Sequence, residues 1–187
     1  MEYIFKVPFG SQVYGLTNNK SDEDYIYIYP DIVDLTSIPK DDSHMTIHMF
    51  QSELDQHSVK ALEAYFYYEE LQNYFTFELN LSFLRKRVSA VVSNAHVKAK
   101  KKFKDNEIYI GLKSYYHCIR ILTMFNYLAK HGTFNPSSFI PELEYIYNDI
   151  MQRQPNNPDT LFQELEQDYK KMLKNLQHTF RMYCPKT

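Results

Sequence analysis

Two aspartates one residue apart, Asp22 and Asp24, follow a small-residue turn containing Gly10, Ser11 and Gly15, and this pattern suits a phosphate held beside a divalent cation. Residues i and i+2 of an extended segment face the same way. Two ionised carboxylates about 4 Å apart repel by about 4 kcal/mol at an effective dielectric near 20, so such a pair calls for a cation, a basic partner or full hydration. Mg2+ fits, because it takes oxygen ligands, keeps several waters and is commonly held by one or two carboxylates plus substrate phosphates; Mn2+ accepts the same donors. Gly10 has no side chain to block a phosphate, and Ser11 adds a hydroxyl to the backbone N–H groups of the turn. The competing description is a hydrated surface turn, for which Asn18 to Asp24 is also good chemistry. Two of the four glycines fall in this stretch, between the strand-like runs Tyr3 to Val7 and Tyr25 to Tyr29.

Lys113, His117 and Arg120 form a second candidate set. Their spacing of i, i+4 and i+7 puts three cation-capable groups on one helix face, a surface suited to phosphate. The alternative is a buried, hydrogen-bonded His117 flanked by two solvated cations. A run of lysines at 98, 100, 101, 102 and 104 falls at the expected end of the preceding helix, where the dipole favours cations. That run is either a solvated helix end or, with Lys86 and Arg87, a contact for nucleic acid or triphosphate.

Taken together, Gly10-Ser11, Tyr14-Gly15-Leu16, Ser21-Asp22-x-Asp24 and Lys113-x-x-x-His117-x-x-Arg120 resemble the signature of the DNA polymerase beta superfamily of nucleotidyltransferases. The resemblance is to the minimal branch associated with RNA repair in bacteria and their viruses. It implies that Gly10 and Ser11 hold a nucleoside triphosphate and that Asp22 and Asp24 bind the catalytic Mg2+ or Mn2+. Lys113, His117 and Arg120 would then contact the pyrophosphate or the acceptor's backbone. The implied reaction moves a nucleoside monophosphate onto a hydroxyl, with an RNA end such as a broken transfer RNA as acceptor.

Members of that superfamily carry a third carboxylate on the following strand, expected here over 43–50, and neither face of that segment holds an acid. Its polar face would be His44, Thr46 and His48, which makes His44 and His48 candidate bases, since imidazole titrates near neutrality. Asp41 and Asp42, just upstream, are alternative oxygen donors. The second functional class is a catalytically impaired member of the fold, acting as a nucleotide- or RNA-binding or protein-interaction module of an antitoxin-like or viral kind.

These sites need elements to position them. The first 50 residues alternate short apolar runs with turns, and helical spacing begins near Leu54, with entry at Asp55 or Ser58. Residues 71–84 read as helix and loop. Long helices are expected from about Leu84 to Lys102 and through the Lys113 stripe to Gly132, then from Pro141 to Met151 and from Asp159 or Thr160 to about Tyr183. The expected fold is α+β, with a small mixed-sheet nucleotidyltransferase core over 1–80 and a helical region over 81–187 that packs on it and completes a cleft.

Composition sets the frame. With 187 residues, 44% hydrophobic and 16% aromatic, the chain can bury a core, and its formal net charge of −2 confines any nucleic-acid contact to a local patch. The two cysteines, Cys118 and Cys184, match no zinc or disulfide spacing. No apolar run reaches the roughly 18 to 20 residues of a membrane span, and the first residues lack a signal peptide's apolar stretch. A cytoplasmic protein without a membrane partner is expected; oligomeric state is not legible.

Overall fold

The computed structural model describes residues 2–10, 13, 24–33, 35, 43–135, 138, 140–153 and 158–186. The fold class is α+β: a small mixed sheet near the N-terminus is followed mostly by helices. The chain divides into two compact units, one of residues 1–80 with 135–140 and one of residues 81–134 with 141–187.

In the first unit, strands β1 (Phe5–Pro8), β2 (Tyr25–Tyr29) and β3 (Ser43–Thr46) form a sheet in the order β1-β2-β3. β1 and β2 are antiparallel, with Lys6 opposite Tyr27 and Pro8 opposite Tyr25. β2 and β3 run parallel, with Ile26 opposite Ser43 and Tyr27 opposite His44. The period-two alternation of YIYIY divides the residues between two faces. Val7, Ile26, Ile28 and Met45 are buried on one. On the other, Lys6 lies 4.0 Å over the Tyr25 ring, and Tyr27 stacks on His44 at 4.9 Å.

The expected strand over 43–50 ends early. Thr46 breaks it by accepting a hydrogen bond from the Met49 N–H at 3.3 Å, and helix α1 (Ile47–Asp55) begins at the next residue. Asp31 reinforces that start by accepting the His48 N–H at 2.8 Å. Helices α2 (Val59–Tyr67) and α3 (Glu69–Tyr74) follow. Between α1 and α2 the chain turns through His57 at φ 58°, with the N–H of His57 bonded to Leu54 O and that of Ser58 to Glu53 O. This is the reciprocal pairing that satisfies the last carbonyls of a helix.

The second unit is built on α4 (Leu81–Lys104) and α5 (Ile108–His131), each about 36 Å long from 24 residues, with α6 (Ile140–Met151) and α7 (Pro158–Tyr183) following. Asn106, at φ 60°, ends α4 with the same reciprocal pattern, Asn106 N to Phe103 O and Glu107 N to Lys102 O. Gly111 lets α5 approach Phe103, whose ring lies 3.0 Å from where a β-carbon would stand. α5 ends as its sequence predicts, at Gly132 with φ 74° and its N–H on Leu128 O. Tyr115, Ile119, Leu122 and Phe125 of α5 are buried with Leu84, Val88 and Val92 of α4 and Leu165 and Phe180 of α7. The Tyr115 hydroxyl donates to Leu165 O, and Glu166 of α7 meets His96 of α4 at 2.9 Å. Among the described residues no helix is long and apolar enough to cross a membrane.

Candidate functional site

At the open end of the β1–β2 pair the ladder extends by one bond, Phe9 N–H to Asp24 O at 3.1 Å, which draws the backbone after β1 alongside the start of β2. Gly10 follows at φ 68°, a left-handed conformation that glycine adopts without strain. A β-carbon placed on Gly10 would stand 3.5 Å from Asp24 Oδ2. The missing side chain therefore leaves the backbone at Gly10 open beside a half-buried carboxylate at ordinary van der Waals distance. Ser11 and Asp22, the other members of the expected clamp, lie outside the described residues, as do Asp41 and Asp42. Among the described residues no group of three or more His, Cys, Asp or Glu side chains gathers as a metal cluster; of the expected cation ligands, Asp24 is the one described.

Lys60 joins this end of the sheet and carries no signal in the sequence beyond a lone cation at the start of α2. Its Nζ donates to Ser43 Oγ at 2.7 Å and lies 5.4 Å from the Phe9 ring centre. Burial lowers the Lys60 pKa, opposed by the nearby Glu53 carboxylate. Ser43 is the register partner of Ile26, two residues beyond Asp24, so a partly desolvated ammonium borders the strand ends that frame Gly10 and Asp24.

The two histidine candidates do not share a face. His44 stands on β3 on the Tyr27 face, its Nδ1 3.0 Å from the Tyr29 hydroxyl. Asp24 precedes Ile26 by two, so strand alternation assigns it to the opposite, Ile26 face. His48 is not on the strand at all. It is exposed in the first turn of α1, where its N–H serves Asp31 and, with the Thr46 side chain, holds that carboxyl below the usual carboxylate range.

In the second unit Lys113, His117 and Arg120 all lie on α5, with His117 hydrogen-bonded and desolvated as in the alternative described above. Arg120, buried to 5% exposure, donates from Nη2 to His117 Nδ1 at 2.9 Å. An imidazole nitrogen that accepts from a guanidinium is unprotonated, so the ring's one proton is on Nε2. Burial, then the charges of Arg120, Lys98 and Lys113, push the His117 pKa down to about 3. Lys98 is the addition here: it belongs to α4, within the lysine run that sequence alone leaves as either a solvated helix end or a nucleic-acid or triphosphate contact, and packing brings it within electrostatic reach of the stripe. The result is a neutral imidazole beside a buried guanidinium, with Lys98 and Lys113 within electrostatic reach.

Comparison of the chain with protein-family profiles, with curated proteins and with solved structures finds no match.

Proposed function

We propose that the chain is a metal-dependent nucleotidyltransferase that moves a nucleoside monophosphate from a triphosphate to a hydroxyl acceptor, most fittingly an RNA end, in a cytoplasmic setting. The observation that carries this is the juxtaposition of a left-handed Gly10 with the Asp24 carboxylate, 3.5 Å from the vacant β-carbon position. Asp24 with Asp22 would hold the cation, which when bound supplies charge neutralisation at the reacting phosphate oxygens. Gly10 and Ser11 would offer N–H and hydroxyl donors to the outer phosphates, and Lys60 adds a positive charge beside them. The resemblance would give Lys113, His117 and Arg120 of the second unit the pyrophosphate or the acceptor's backbone, and Lys98 adds to the positive charge around them.

The third carboxylate is best assigned to Asp41. The expectation that put the acid within 43–50 assumed a strand of that length, whereas β3 is short and pairs Ser43 with Ile26. Asp41 lies outside the described residues, and the support for the assignment is its place in the sequence immediately upstream of β3. His44, turned to the Tyr27 face, is the weaker base candidate.

The second reading is a binding module that does not turn over its nucleotide. It is favoured by one observation: β3 carries no acid among its described residues. Incubation with α-labelled triphosphates, Mg2+ or Mn2+ and a mixed RNA pool separates the two. The expected result is label on RNA that is lost in Asp22→Asn/Asp24→Asn. Cation-dependent triphosphate binding without label on any acceptor would instead establish the module.

A further inference from the structure

The second unit carries a groove that the catalytic reading does not use. Two adjoining depressions of about 500 and 590 Å³ lie between α4 and α7, and they share Ser89 and Arg181. Their walls carry Arg85, Lys86, Lys170, Lys174, Arg181 and Lys186 against a single carboxylate, Glu166. That carboxylate is already engaged, by His96 at 2.9 Å, by the Tyr115 hydroxyl at 3.1 Å and by Lys170 at 3.9 Å. Lys86, Lys174, Arg181 and Lys186 are exposed and form no ion pair among the described residues. In a chain whose formal net charge is −2, this is a marked local excess of positive charge.

The groove has a fixed frame. Arg85 donates to the carbonyls of Arg181 and Cys184, pinning the last turn of α7 to the first turns of α4. Its floor is closed by the nearly buried Val92, Leu122, Leu173 and Phe180, and Val97, 64% exposed, is the apolar side chain that it presents between cationic walls.

We infer that this groove binds the phosphodiester backbone of a single-stranded polynucleotide. Cations spaced along both walls of a continuous track match a ligand with a regular repeat of negative charge. Ser89 and Gln177 are hydrogen-bond donors for phosphate oxygens, and the exposed Val97 gives a base an apolar contact. The choice of RNA as probe rests on the acceptor reading proposed above; the binding itself does not require that transfer occur.

The test is fluorescence anisotropy with an unstructured 20-nucleotide RNA across a series of salt concentrations, without triphosphate or divalent cation, so that absence of transfer leaves the result untouched. Lys86→Gln/Lys174→Gln/Arg181→Gln is expected to weaken binding tenfold or more and to lower the salt slope by about 2, from roughly 0.7 per phosphate contact on a single strand. Lys6→Gln/Lys130→Gln/Lys171→Gln makes the same change in net charge at exposed lysines that do not line the groove and is expected to stay within twofold of the wild type. Equal losses in the two triple variants would overturn the proposal. So would displacement of the RNA by polyglutamate at equal charge concentration, which would identify the groove as a reader of acidic peptide. Circular dichroism and the melting temperature of each variant confirm that exposed side chains alone were changed.

Discussion

Arg120 Nη2 donates to His117 Nδ1 across 2.9 Å, so one turn of α5 holds a guanidinium and a neutral imidazole as a single unit. The pair explains why a histidine on a cationic stripe does not simply add a fourth charge. Protonating Nδ1 would break the hydrogen bond and set two cations against each other in a desolvated place. In nitrogen-detected NMR, His117 is therefore expected to stay neutral, with its proton on Nε2, from pH 8 down to pH 5. Arg120→Met should raise its pKa toward the ordinary value near 6.5 and destabilise the fold by about 1–3 kcal/mol, the cost of leaving a buried acceptor unpaired. A His117 signal that titrates near 6.5 in the wild type would contradict this account.

Acid sensitivity follows from two histidines. His57 lies buried with Nδ1 3.0 Å from Asp55 O and with Nε2 accepting the Asn80 N–H at 2.7 Å, and burial lowers its pKa. That of His117 is pushed down to about 3. For both groups the unfolded chain takes up protons below about pH 6.5 that the folded chain refuses. Their contribution is thus intact above that pH and declines as pH falls, for His117 until about pH 3. Urea midpoints at pH 7.5 and 5.0 should reveal a loss on the order of 2 kcal/mol per group at most. His57→Asn, which tolerates the left-handed backbone, should lessen that dependence; an unchanged pH slope in this variant would exclude His57 as a contributor.

Gly10 and Gly132 offer a matched pair. Both have positive φ, 68° and 74°, so alanine at either should cost roughly 1 kcal/mol of stability. A β-carbon on Gly132 meets nothing within 4 Å, whereas on Gly10 it stands against Asp24. Titration with a nonhydrolysable triphosphate and Mn2+ is expected to show binding weakened tenfold or more by Gly10→Ala and unaffected by Gly132→Ala. Equal affinities in the two variants would remove the nucleotide from this end of the sheet.

Lys60 is expected to contribute charge and not merely packing. Lys60→Met keeps the apolar stem and should lower triphosphate affinity about tenfold, while Lys60→Arg restores most of it. If the methionine variant binds as well as the wild type, the amine serves Ser43 alone.

For the third acid, Asp41→Asn should abolish transfer while leaving triphosphate binding within a few-fold, and Asp42→Asn should leave both intact. Radiolabel transfer and equilibrium binding on the same preparations decide between them. Full transfer by Asp41→Asn would return the base to another group.

The chain's local chemistry dictated a good deal. The α+β class, the stop of α5 at Gly132 and the strand YIYIY follow from periodicity, caps and turn residues, which act over a few neighbours and are written in consecutive letters. Gly10 and Asp24, 14 residues apart in sequence, come close through the pairing of β1 with β2. Packing decided the rest. Thr46 ends β3 and starts α1 because its hydroxyl finds the Met49 N–H and Asp31 reaches the same turn, so a segment with strand composition became a helix. His57 takes a conformation more natural to glycine because its ring bonds Asn80, 23 residues away. Lys98 meets the His117 stripe, and Lys60 meets Ser43, across distances in sequence over which no periodicity carries information. Charge and burial at those points come from which surfaces face each other, and only the folded chain fixes that.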